Sequence, residues 1–150
     1  MASKKADVES FVSQQVLALV GVSRKPEKFS NATMKELRAS GYKVYPINRN
    51  GGEAEGEKLY TNLKDLPEKP GGVLIMVKAA DSEAVVREAA AAGITHVWIQ
   101  QGAVSPAALK AAGELGLKTV SGECILMFAS QNKFHGIHRW FNKVFGMLPR

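Results

Sequence analysis

The run Val16-Leu17-Ala18-Leu19-Val20 stops at Gly21 and gives way to the small polar turn Val22-Ser23-Arg24-Lys25. An unbroken apolar run of this length reads as a strand covered on both faces. A helical pattern, Ala32 to Ser40, begins within about ten residues of the glycine. A strand that ends in a glycine turn and feeds a helix is the phosphate-binding corner of a doubly wound α/β sheet. Free amides at such a corner, together with the helix dipole, favour an anion. The corner therefore predicts a phosphorylated ligand.

The rest of the chain repeats the same grammar. Strands are predicted at Leu17–Val22, Lys43–Ile47, Gly72–Val77, His96–Ile99 and Lys118–Ser121, each short and rich in Val or Ile. Helical patterns alternate with them. Asn31 or Thr33 is a candidate cap for the first, which stops before Gly41. Asp81 or Ser82 opens Glu83–Ala92, ended by Gly93. Ser105-Pro106 places a capping hydroxyl before a proline at the first helical position, opening Ala107–Leu115. Strand–helix–strand units imply parallel pairing through right-handed crossovers. The expected fold is α/β, a Rossmann-like doubly wound, mainly parallel five-stranded sheet.

Two segments break the rhythm. The connection from Asn48 to Pro70 holds Gly51-Gly52, a brief apolar stretch at Leu59-Tyr60 and a turn of helix near Leu63–Leu66. A loop of that length is expected to be functional or to carry small elements of its own. After the fifth strand, Phe134, Ile137, Phe141, Val144 and Phe145 recur at helical spacing, with His135, Arg139 and Lys143 on another face. This predicts a C-terminal amphipathic helix docked on a single domain, 1–150, whose core spans 16–127 with an extension over 128–150. The same helix is a candidate contact for a homodimer or a protein partner.

A net charge of +6 favours anionic partners. Some of the excess sits at Lys133, Arg139, Lys143 and Arg150, with no acidic residue after Glu123. The rest is dispersed, as on a solvated surface, so nucleic acid is a weaker expectation than a phosphorylated small molecule. The chain has no apolar stretch of about 18 residues, so no membrane span is expected. Its first residues, Met1-Ala2-Ser3-Lys4-Lys5, lead into no apolar run of the kind a secretory signal needs. One cysteine, Cys124, excludes an intrachain disulfide and fits a cytoplasmic address.

The dinucleotide fingerprint G-x-G-x-x-G, with an acidic residue about 20 positions later, is absent. The turn reads Gly21-Val22-Ser23-Arg24-Lys25-Pro26, and Ile47-Asn48-Arg49 closes the second strand without a carboxylate. Arg24, Lys25 and Arg49 instead gather positive charge where a ribose phosphate would sit. NAD is disfavoured, and an NADP-dependent or other nucleotide-dependent enzyme or redox sensor stays open as the alternative.

Gly-Val-Ser after the first strand, Gly41-Tyr42-Lys43-Val44-Tyr45-Pro46-Ile47-Asn48, and Gly56-Glu57-Lys58-Leu59-Tyr60 follow one another in order. Trp98-Ile99-Gln100-Gln101-Gly102 and Gly122-Glu123-Cys124 complete the series. In this pattern, covering about Val16 to Met127, the chain resembles the stand-alone CoA-binding proteins. These are similar to the CoA-binding domain of the succinyl-CoA synthetase α subunit. The resemblance implies CoA or acyl-CoA lying across the carboxyl ends of the strands, bound by a carrier or sensor rather than a catalyst. It implies that Gly21, Val22, Ser23 and Arg24 hold phosphate through amides, hydroxyl and guanidinium. Pro46, Asn48 and Arg49 would lie near the adenosine end. Val77 and Lys78 would flank the ligand, and Gln100 and Gly102 would close over it.

Many relatives carry a proline-rich turn after the third strand, where this chain has Lys78-Ala79-Ala80-Asp81. The synthetase's phosphorylated histidine belongs to another domain, and His96, His135 and His138 do not match it. Trp98 reads as core. Cys124 reads first as a buried structural cysteine; thioester or redox exchange would require it to face the pocket. His135 and His138 form an i, i+3 pair without an evident third ligand, so metal is not expected.

Overall fold

Alternation along each strand decides the layers. In β1 (Val16–Val20), Leu17 and Leu19 point to one side of the sheet, while Ala18 and Val20 point to the other. The pattern repeats in β5 (Gly72–Ile75), where Leu74 opposes Val73 and Ile75, and in β6 (His96–Ile99), where Trp98 opposes Val97 and Ile99. Both faces are therefore buried, as a parallel sheet with helices on each side requires. The computed structural model describes residues 4–25 and 28–129.

With β2 (Lys43–Ile47) and β7 (Lys118–Ser121), these strands form an all-parallel sheet in the order β2-β1-β5-β6-β7. Helices α1 (Lys5–Val12), α2 (Phe29–Ala39) and α5 (Leu126–Ala129) supply one core, centred on Trp98. Phe11 meets the Trp98 ring edge-on at 5.3 Å, and Phe128 lies 5.6 Å away. Helices α3 (Ala79–Ala91) and α4 (Pro106–Glu114) cover the opposite face. Each large side chain buried in this way contributes about 1.5–3 kcal/mol. No helix among the described residues is long and apolar enough to cross a membrane.

The long connection after β2 carries the hairpin β3 (Glu53–Ala54) and β4 (Glu57–Lys58), then a short 3₁₀ turn at Leu63–Asp65. Tyr60 then lies beside the end of β2, exchanging backbone bonds with Pro46 and Asn48. Pro46 thus sits buried inside the sheet's edge strand, opposite Leu19, where its missing N–H costs least.

Three local expectations change. Helix α2 begins at Phe29 rather than Ala32, and Asn31 lies within it instead of capping it. Helix α3 begins at Ala79, earlier than Asp81. Helix α1 had no counterpart in the periodicity: its eight residues gain their stability by docking Val8 and Phe11. The amphipathic pattern at Phe134–Phe145, and with it His135 and His138, lies outside the described residues.

Candidate functional site

Strand order locates the site. From β1 the chain crosses into α2 on one face, and from β5 it crosses into α3 on the other. The connections therefore part company above β1 and β5, opening a crevice at their carboxyl ends. Gly21 stands in that crevice with φ +114°, and an added Cβ would lie 2.3 Å from the Met76 carbonyl oxygen. Only glycine lets the two strand ends approach this closely.

A cavity opens on each side of Gly21 and Val77, which line both. The smaller, about 260 Å³, runs between the end of β2 and α3, past Ile47, Asn48, Arg49 and Asp81. The larger, about 470 Å³, is bordered by Ser23, the start of α2 at Lys28–Ser30, Lys78, and Gln100–Ala103. At Gly102, φ is +94° and an added Cβ meets nothing within 4 Å, so the missing side chain leaves room in the cleft.

The turn after Gly21 is held from inside. The Gly21 and Val22 amides both donate to the Ile47 carbonyl, at 2.9 and 3.1 Å. The Ser23 amide donates to Asn31 Oδ1 at 3.0 Å, and Asn31 Nδ2 donates back to the Ser23 carbonyl at 2.8 Å. The Ser23 hydroxyl accepts from the Lys25 amide. Asn31 is fully buried and also donates to Glu55, itself paired with Lys35, so the turn is tied to the β3–β4 hairpin.

The expected amide cradle is engaged within the protein. The amides of Gly21, Val22 and Ser23 have protein partners, and the Val22 side chain is core. The Ser23 hydroxyl and nearby cations are left beside the turn. Arg24, Lys25, Lys28 and Lys78 form no ion pair among the described residues. Arg24 packs its stem across Gly52, whose added Cβ would fall 2.6 Å from Arg24 Cδ. Arg49 is mostly exposed and faces Asp81 at 3.8 Å.

The remaining expected residues divide. Asn48 lines the smaller cavity but spends its side chain on structure, donating to the Val22 carbonyl and accepting from the Asn50 amide. Val77, Lys78 and Gly102 lie in the cleft, whereas Pro46, buried within β2, borders neither cavity. Gln100 borders the larger cavity, 3% exposed. Its amide donates to Cys124 Sγ at 3.3 Å and its oxygen accepts from the Ile125 amide at 3.1 Å. Cys124 is buried, and burial pushes its thiol pKa up despite the bonds it accepts. Trp98 is core, as its sequence context predicts, with its indole N–H on the Glu123 carbonyl.

Sequence reasoning missed Lys28, Phe29 and Ser30 at the cleft, and Thr61, Ala84 and Glu88 in the smaller cavity. Asp81, Val85 and Glu88 stand at i, i+4 and i+7, a one-face spacing that was legible in the sequence.

Residues 15–130 match the family model described as a CoA binding domain. The chain is 26% identical over 122 residues to the uncharacterized protein YneT of Bacillus subtilis, spanning 81% of this chain and 90% of that one. It is 33% identical over 98 residues to the alpha subunit of the ADP-forming acetate–CoA ligase I of Pyrococcus furiosus. That match takes in 61% of this chain but 21% of the ligase subunit. A solved structure of a hypothetical protein from Pyrococcus horikoshii OT3 superimposes with a TM-score of 0.75 at 31% identity, over 95% of this chain and 93% of that one. With a match running from the start of β1 through α5, this chain belongs to the CoA-binding domain family.

Proposed function

We propose that this protein binds CoA or acyl-CoA across the carboxyl ends of its parallel strands, as a cytoplasmic carrier or sensor rather than a catalyst. The observation that carries this reading is the pair of cavities meeting over Gly21 and Val77. One sets Val20, Ile47, Val77 and Val85 beside polar side chains and suits a nucleoside; the other is an open cleft with Lys28 and Lys78 at its border and suits a diphosphate and an extended arm. The adenosine end is assigned to the smaller cavity, with Asn48 and Arg49 at its rim. Ser23, Arg24, Lys28 and Lys78 would offer a hydroxyl and charged donors to the phosphates. The pantetheine arm would run toward Gln100 and Gly102.

CoA, when bound, supplies a thiol that carries an acyl group as a thioester. The chain's own residues bind and orient it. Cys124 does not offer a competing thiolate, because burial disfavours its charged form. This supports carriage over exchange.

Thermal unfolding of nucleotide-stripped protein with CoA, acetyl-CoA, dephospho-CoA, NAD and NADP tests the reading. A ligand at about a hundred times its dissociation constant stabilises the fold by about 2.7 kcal/mol. The expected result is a large shift with CoA and acetyl-CoA and a smaller one with dephospho-CoA. A shift with NADP and none with CoA would replace the proposal with a nicotinamide-dependent enzyme.

A further inference from the structure

The smaller cavity mixes apolar and polar lining. Val20, Ile47, Val77 and Val85 give it apolar walls suited to the faces of a flat ring. Most of its polar lining is already engaged. Asn48 is bonded to the Val22 carbonyl and the Asn50 amide, the Thr61 hydroxyl donates to Asp65, and Asp81 faces Arg49 at the rim. Glu88 is engaged through one oxygen. Its Oε2 accepts the Leu63 amide at 2.8 Å, while its Oε1 has no donor among the described residues. Asp81 and Glu88 share one face of α3, and seven residues of helix rise about 10 Å, so Glu88 stands two turns below the rim.

We infer that Glu88 selects the base of the ligand, accepting a purine that carries a 6-amino group and rejecting one that carries a 6-oxo group. The inference rests on the proposed placement of the nucleoside in this cavity. An ionised carboxylate only accepts hydrogen bonds, so it pairs with an exocyclic amine and opposes a carbonyl oxygen. A 6-oxo purine would set two acceptors against each other, leaving neither with a donor from its partner. The Leu63 amide fixes the carboxylate beforehand, so little orientational freedom is lost when the base arrives. The 3₁₀ turn that supplies this amide therefore acts on specificity without touching the ligand.

The test compares CoA with its analogue bearing hypoxanthine in place of adenine, by titration calorimetry on the wild-type chain and on Glu88→Gln. Glutamine keeps an oxygen for the Leu63 amide and turns an N–H donor into the cavity. The wild-type protein is expected to favour CoA by about tenfold or more, a preference that shrinks below about threefold or reverses in the variant. Equal wild-type affinities overturn the role of Glu88 even should the variant fail to fold. So does a preference that survives Glu88→Gln, and in both cases CoA binding itself stands. Absence of any CoA binding to the wild-type protein overturns the proposed function, and this assignment with it.

Discussion

At the amino edge of the sheet, Gly71 and Gly72 stand where a side chain would collide with Gln14 and with Phe11 of α1. An added Cβ would lie 2.3 Å from Gln14 Oε1 at the first and 2.7 Å from Phe11 Cε2 at the second. At the carboxyl edge, Gly102 faces open space and Gly21 crowds only the backbone of the next strand. Gly71 and Gly72 are thus closed in by side chains, whereas Gly102 stands beside open space. Polar groups follow the same division. Ser10 reaches His96 at 2.7 Å beneath the sheet, whereas Lys28 and Lys78 form no ion pair among the described residues above it. Gly71 and Gly72 pack against the protein, and the proposed ligand lies beside Gly102.

The largest break in this contrast is expected from Gly21→Ala. Its Cβ meets a backbone carbonyl that cannot move without parting β1 from β5, and its φ is strained for any L residue. A loss of about 3 kcal/mol or more in denaturant unfolding is expected, with CoA binding lost as well.

Gly72→Ala tests the amino edge. Phe11 is 1% exposed and has little room to yield, so about 2 kcal/mol of stability should be lost. CoA affinity of the folded fraction, measured by calorimetry, should be unchanged. A loss of affinity matching that of Gly21→Ala would show that the two edges are not independent.

Gly102→Ala sharpens the contrast from the other side. Strain at φ +94° costs about 1 kcal/mol, with no collision inside the protein. The methyl enters the cleft, so CoA affinity should fall more than stability does. Unchanged affinity would place the ligand elsewhere.

The smallest effect is a pH dependence at the amino edge. Burial, aided by Lys118 and opposed by Asp7, lowers the His96 pKa in the folded protein. Ser10 and Thr95 bond its two ring nitrogens. The unfolded chain therefore takes up the proton first as pH falls through about 6.5, and stability declines from there down to the folded-state pKa. Urea unfolding between about pH 7.5 and 5 should show the decline, and His96→Gln should flatten it.

Much of the fold was legible. The strands Lys43–Ile47, His96–Ile99 and Lys118–Ser121 appear where their β-branched and apolar residues predict them. The Ser105-Pro106 start of α4 holds, with the Ser105 hydroxyl accepting from the Ala108 amide. Signals of this kind act over a few residues and survive any tertiary setting. Helix α1 was not legible, because eight residues make too short a period to stand out and its stability comes from Phe11 meeting Trp98.

The site divides along the same line. Gly21 follows directly on β1 and Lys78 precedes α3, while Ser23 and Gly102 lie in the turns just after β1 and β6, so all four stand near the crevice. Asn31 looked like a helix cap by type, yet its amide turns back to both backbone groups of Ser23. Glu88 could be placed on a helix face from its spacing, but not opposite the end of β2. Local composition dictated alternating strands and helices, a glycine-bounded corner and an excess of positive charge. Only the tertiary structure decided which amides were already bonded, which polar groups faced the cavities and which cysteine environment resulted. Strand periodicity is a local property of the chain, whereas hydrogen-bond satisfaction depends on partners brought together from distant positions.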